Sequence, residues 1–176
     1  MRELPSAFRK RDPMPFTPFH FGPAILFKAV APRHVSLTAF AGSQVAIDLE
    51  SGYHLLRGEW PVHRLAHTLP LATAIGIAAG ALVWTAGRWL QPSDNVGVQA
   101  EVLPLPALIG GLLGGLSYPL LDAILHADVQ PFWPLTRVNP LLDALDLPLL
   151  HQMCCATGAA GIALLLLRAR PKASRK

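Results

Sequence analysis

His63 and His67 are four residues apart, and so are Asp122 and His126. On a helix, that spacing puts both side chains of a pair on one face. Two such pairs brought together offer four ligands, and imidazole with carboxylate suits Zn, Mn or Fe. His20, Asp48 and Glu50 extend the set upstream, and Asp128 follows His126 closely. The segment His63-Arg64-Leu65-Ala66-His67 lacks the glutamate of an HExxH helix, so zincin chemistry does not apply. A lone histidine near a helix end, such as His34 or His151, reads more simply as an interfacial or hydrogen-bonding residue. An aspartate there reads as a cap. The metal reading rests on the number of acids and histidines that share one end of the molecule.

That shared end follows from the elements that carry them. Residues A, V, I, L, M, F, W, Y and C make up 52% of the 176 residues and charged residues only 15%, against about 25% charged in an average soluble domain. Leu65 to Gly87, Val102 to Leu121 and Leu147 to Leu167 contain no Asp, Glu, Lys or Arg. Each is long enough to cross a hydrocarbon core, which takes about 20 helical residues. The expected fold is all-α: a polytopic membrane bundle with three long transmembrane helices near 67–90, 102–126 and 147–169. A shorter N-terminal helical hairpin, roughly His20 to Ala31 and Val35 to Leu49, precedes them, and a polar connection over 51–66 joins it to the first long helix. One membrane domain over 19–169 is expected, between an extended or interfacial segment at 1–18 and a basic tail at 170–176.

Ionisable residues are costly in and beside membrane helices, so their positions call for an explanation. The hairpin enters at His20 and returns to Asp48 and Glu50. The connection with His54, His63 and His67 stays on that side. One long helix leaves and the next returns, ending at Asp122. Counting helices therefore brings these residues to one membrane face.

Gly76 and Gly80 are four apart, as are Gly110 and Gly114, and Gly111 and Gly115. Small residues at this spacing let helix backbones approach in lipid. Pro119 should interrupt its helix. Trp60, Trp84, Trp89 and Trp133 fall near predicted helix ends, as an aromatic belt would place them. The first 20 residues are basic and proline-rich without an apolar core region, so no secretory signal peptide is expected. Cys154 and Cys155 are adjacent in an apolar run and read as packing residues. The net charge of +4 gathers in Arg2, Arg9, Lys10 and Arg11 and in Arg168, Arg170, Lys172, Arg175 and Lys176. Such flanks meet lipid headgroups more simply than nucleic acid, so membrane lipid is the expected partner.

At these residues the sequence resembles the YdjM-like inner-membrane proteins, described as LexA-binding or as membrane-bound metal-dependent hydrolases. Thr17-Pro18-Phe19-His20 matches the early histidine of their pattern, and Asp48-Leu49-Glu50 resembles its acid-x-acid step. His63-Arg64-Leu65-Ala66-His67-Thr68 matches its HR-x-x-HS/T element. Gly115-Leu116-Ser117-Tyr118-Pro119-Leu120-Leu121-Asp122 approaches its glycine-rich helix ending in His-x-x-x-Asp. The likeness covers roughly residues 16–135, in order throughout. Glu50 replaces the usual Asp, and Tyr118 stands where a histidine is expected. That second departure removes a ligand unless His126 or Asp128 replaces it.

The resemblance implies a bacterial inner-membrane location and a hydrolase. The expected function is metal-dependent hydrolysis at the membrane surface, on a lipid ester or phosphoester or another small molecule. His20, Asp48, His63, His67, Asp122 and His126 would hold one or two divalent ions of Zn, Mn or Fe. Glu50 or Asp128 would take a proton from water. The rivals are a non-catalytic membrane protein with a structural or metal-binding polar cluster, which Tyr118 favours, and a small ion or proton transporter. The identity of any protein partner is unknown from the sequence.

Overall fold

The computed structural model describes residues 18–90 and 96–169; the basic tail and almost all of the expected N-terminal segment lie outside the described residues. Among them are six α-helices: α1 (Phe21–Val30), α2 (Leu37–Leu56), α3 (Leu69–Leu90), α4 (Val96–Val102), α5 (Pro104–Leu125) and α6 (Leu147–Ala169). The fold is all-α. Three helices, α3, α5 and α6, are long and apolar enough to cross a membrane. Nothing else in their makeup would favour exposing Leu82, Leu90, Ile162, Leu166 and Leu167 as they do, and lipid is the solvent such a surface fits.

Local chemistry sets the boundaries. Ser36 caps α2, its hydroxyl accepting the Ala39 N–H at 3.1 Å. Asp146 does the same for α6, accepting the Leu149 N–H at 2.9 Å. Pro104 and Pro70 stand in the first turns of α5 and α3, where a missing N–H costs nothing.

Three details differ from the sequence reading. The second arm of the hairpin does not stop at Leu49. Residues 50–56 contain no proline, and the buried face of α2 continues through Ser51 to a turn at Gly58, whose φ of 63° suits glycine. At 20 residues α2 has the length of a span, about 30 Å, but is too polar to count among the apolar ones. Second, α3 begins at Leu69, after His63 and His67 rather than with them. Leu65–His67 form a single 3-10 turn, and the Leu69 N–H is taken by the Pro131 carbonyl at 2.8 Å. Third, the short helix α4 was not expected from the sequence. It carries Glu101, whose carboxylate binds the Lys28 ammonium and accepts from the Ser36 hydroxyl and the Thr38 N–H, each at 3.1 Å.

The helices meet through glycine. A Cβ on Gly76 would lie 2.3 Å from the Gly111 carbonyl oxygen, one on Gly80 2.6 Å from that of Ala107, and one on Gly115 2.3 Å from that of Ala72. These contacts join α3 and α5 antiparallel. The neighbouring stripe on α5 meets α2: a Cβ on Gly110 would strike the Ser36 carbonyl, and one on Gly114 the Ser43 hydroxyl. α5 is accordingly the most buried of the three spans. α1 docks on α6 by the same means, with Gly22 against the Cys154 carbonyl and Gly161 against the backbone of Ile25 and Leu26. Pro119 lies buried in α5 and cannot donate to the Gly115 carbonyl.

Gly76→Ala should therefore push α3 from α5 and destabilise the protein by about 1–3 kcal/mol, the usual cost of overpacking. Gly52→Ala, where a Cβ meets nothing within 4 Å, should stabilise by about 0.5–1 kcal/mol. Thermal unfolding in detergent checks the pair, and equal responses would contradict the glycine-packing account.

Candidate metal centre

Helix polarity delivers the reactive side chains to one end. α1 starts there at His20, α2 returns there with Asp48, Glu50 and Ser51, and α5 ends there with Tyr118 and Asp122. The α2–α3 connection supplies His63 and His67, and the turn after α5 supplies His126 and Asp128.

At the centre is Asp122, which is buried. Its Oδ2 lies 3.3 Å from His67 Nε2 and its Oδ1 lies 3.6 Å from His20 Nε2. His67 is fully buried; its Nε2 also meets the Ser51 hydroxyl at 3.4 Å, while its Nδ1 is 3.8 Å from Glu50 Oε2. The His63 ring packs between His67, with centroids 4.6 Å apart, and His126, at 4.4 Å.

Two carboxylates hold the histidine-bearing loop. Glu50 Oε2 accepts the N–H groups of Arg64 and Ala66 at 3.2 and 2.8 Å. Asp128 Oδ2 accepts those of Val62 and His63 at 3.1 and 3.0 Å, and its Oδ1 lies 3.0 Å from His63 Nδ1. An ionised carboxylate can only accept, so His63 Nδ1 carries the hydrogen on that bond, and Nε2 is the nitrogen left for another partner. That arrangement is the carboxylate–histidine pair that orients metal-ligating imidazoles.

The charges follow from these contacts. For Asp128, burial raises the pKa, but His63 and the backbone N–H groups bring it below the ordinary value. Glu50 is likewise brought down, against burial, by His67 and the Ala66 and Arg64 N–H groups. Burial lowers His20 and His126. Burial also opposes charge on His67, but Asp122 and Glu50 outweigh it and raise the pKa to about 9.

All eight sequence-predicted site residues reach this end of the bundle. His63, His67 and Asp122, all buried, form a group whose ligand atoms lie within 4.8 Å of one another, and His63, His126 and Asp128 form a second such group. The first has the geometry and donor chemistry of a divalent-ion site. His67 Nδ1, His20 Nδ1 and Asp48 Oδ1 are also buried without hydrogen-bond partners, as ligand-binding groups can be and core polar groups seldom are. His126 joins His63 and Asp128 from beyond the end of α5, in extended backbone, and does not share a helix face with Asp122. Asp48 reaches the cluster through Tyr118, whose hydroxyl donates to its Oδ2 at 2.5 Å. Ser51 and the strapping role of Asp128 had no sequence signal, because both depend on a loop folding back across distant residues. His54 is apart, paired with Glu59 at 2.7 Å, and His151 stacks on Phe19. Compared with protein-family models, curated proteins and solved structures, the chain gives no match.

A metal ion taking His67 must displace its proton. Since that pKa lies at about 9, apparent Zn²⁺ or Mn²⁺ affinity should fall about tenfold for each pH unit below it. Metal titration across neutral pH checks this, and an affinity independent of pH would exclude His67 as a ligand.

Proposed function

We propose that this membrane protein is a metal-dependent hydrolase acting at the membrane surface on a lipid ester or phosphoester. The observation that carries the proposal is the convergence of His63, His67 and Asp122, buried together where α5 ends and α3 begins. The resemblance to the YdjM-like proteins supports the same class and a bacterial inner-membrane location.

His63, His67 and Asp122 would hold the ion, with His126 beside His63. A divalent ion bound there would supply Lewis acidity and make a nearby water more acidic. The chain does the rest. Asp128 and the Glu50 strap fix the loop, so both imidazoles keep their aim when substrate arrives. The two candidate proton acceptors are not equally placed. Asp128 uses both oxygens, while Glu50 engages the loop through Oε2 alone and is only half buried. Glu50 Oε1 is therefore the better acceptor for the proton of an attacking water. The exposed apolar flanks of α3 and α6 would bring a lipid's tails alongside while its ester lies at the polar end.

One observation favours a non-catalytic metal-binding protein instead: Tyr118, where the family pattern has histidine, is a neutral donor bound to Asp48. Activity decides between the readings. A phosphoester and lipid-ester screen on detergent-purified protein should find hydrolysis that chelator abolishes and added metal restores. His67→Ala and Asp122→Asn should lose it, and Asp128→Asn should bind metal about 10–100-fold more weakly. Metal binding without hydrolysis of any ester would select the non-catalytic reading.

A further inference from the structure

The metal centre takes His63 and His67 from the α2–α3 connection. A second cluster, which the centre does not use, gathers where that connection begins. α2 ends at Leu56, and the turn at Gly58 brings Glu59 between His54 and Arg57 on one side and Arg64 on the other.

Three donors converge on the Glu59 carboxylate. Arg57 Nε lies 3.3 Å from Oε1, Arg64 Nη2 lies 3.2 Å from Oε2, and His54 Nδ1 lies 2.7 Å from Oε2. An ionised glutamate can only accept, so all three point a hydrogen at it. The Glu59 side chain is 38% exposed, against 6% for Asp122 and 3% for Asp128. It can therefore swing into solvent where those two cannot. Ion pairs this exposed add little to stability, so the fold loses little when the carboxylate leaves.

The two guanidinium groups do not depend on Glu59 for their aim. Arg57 Nη1 donates to the Tyr53 hydroxyl at 2.9 Å, and the guanidinium carbon lies 5.4 Å from the centre of the Tyr53 ring. Arg64 Nε donates to the Pro61 carbonyl at 2.9 Å. The Arg64 backbone is fixed as well, because Glu50 Oε2 accepts its N–H together with that of Ala66. That same oxygen is 3.8 Å from His67 Nδ1. The arginine cluster is thus built onto the strap that carries the metal-binding histidines.

Guanidinium donors forked around an anion are the arrangement by which arginine recognises phosphate as well as carboxylate. A terminal phosphate offers three acceptor oxygens, one for each donor, and carries about −1.5 to −2 charge. It would gain more from these three groups than the single charge of Glu59 does. A neutral ester has nothing to exchange for that carboxylate.

We propose that His54, Arg57 and Arg64 form a recognition site for a terminal phosphate on the substrate, and that Glu59 fills the site in this structure and yields it to phosphate. This rests on the hydrolase reading and deepens it, by selecting a phosphate-bearing substrate over a neutral ester.

Binding to full-length, metal-loaded protein in nonionic detergent tests the site. The probes are inorganic phosphate and phosphatidate in mixed micelles, with diacylglycerol micelles as the neutral control. Glu59→Gln should bind both phosphate probes about tenfold more tightly, and Arg57→Gln and Arg64→Gln about tenfold more weakly, the scale of one charge-assisted hydrogen bond. Diacylglycerol should respond to none of them. Should Arg64→Gln fail to fold by circular dichroism, Arg57→Gln, at an exposed position, carries the same test. Phosphatidate bound more tightly than inorganic phosphate assigns the site to a lipid headgroup, and equal affinity assigns it to a soluble phosphate. Variants that all bind phosphate as the wild type does overturn the site, and so does a Glu59→Gln protein that binds it more weakly. Metal content of the same samples is a separate readout. Absence of bound metal overturns the metal centre, whereas the opposed responses of Glu59→Gln and Arg57→Gln need no ion.

Discussion

The carboxylate of Asp122 is the constraint around which the polar end is arranged. It is buried in the last turn of α5, where the helix dipole already places partial negative charge. A buried carboxylate there is doubly unfavourable unless positive or hydrogen-donating groups come to it. His67 answers on one side and His20 on the other. Those two residues come from an interhelical loop and from the start of α1, so meeting the needs of one carboxylate fixes three segments relative to each other. Glu50 and Asp128 extend that order by holding the loop through backbone N–H groups and histidine together.

Such an arrangement requires the helices to be close, and glycine makes them so. With side chains at Gly111 and Gly115, α5 could not contact the α3 backbone, and with side chains at Gly110 and Gly114 it could not contact α2. The two stripes lie side by side, which lets one helix serve as the axis for both neighbours. The reach of Tyr118 to Asp48 is a consequence of that closeness, since the pair sits one turn beyond Gly114. Packing and chemistry are therefore not separable in α5. The stretch from Gly110 to Asp122 that joins the bundle ends in the buried carboxylate.

Much of this was legible in the sequence, and the reasons are specific. The three charge-free runs announce α3, α5 and α6, because a span has no alternative to a long apolar segment. The paired glycines announce the contacts between helices. Counting helices brings His20, Asp48, His67 and Asp122 to one end, since topology needs only span number. Geometry below the level of a helix was not legible. His63 and His67 have helical spacing but occupy a turn, where the loop carboxylates and not the α pitch set their approach. α2 was read too short because its polar residues 50–56 look like a connection, although they lie on a helix whose buried face is itself polar. Tyr118 reads in sequence as a lost ligand; its position adds that its hydroxyl anchors Asp48. A pattern records residue types, whereas this role depends on where a neighbouring helix puts its carboxylate.

The opposite end of the bundle bears on whether the polar cluster belongs to a surface site or to a conduction path. There the Lys28–Glu101 pair, with Ser36 and Thr38, ties α1, α2 and α4 beside the first turn of α5, where the Ser36 N–H donates to the Pro106 carbonyl. Along α5, Pro106 and Asp122 are about 24 Å apart at 1.5 Å per residue, close to the thickness of a hydrocarbon core. A transporter would need polar groups through that interval. From Ala107 to Gly115 the buried face of α5 is Ala107, Gly110, Gly111, Gly114 and Gly115, with the glycines pressed against backbone, and the polar Tyr118 enters only one turn before Asp122, where its hydroxyl is held by Asp48. Of the described α2 residues facing that interval, the buried polar ones are Ser43, whose hydroxyl is returned to the Phe40 carbonyl, and Gln44, one turn from Asp48. Backbone contact this close leaves no room for a hydrated ion to pass. The polar cluster is thereby confined to one end of the bundle, and the hydrolysis proposed above would take place there without a path across the bilayer.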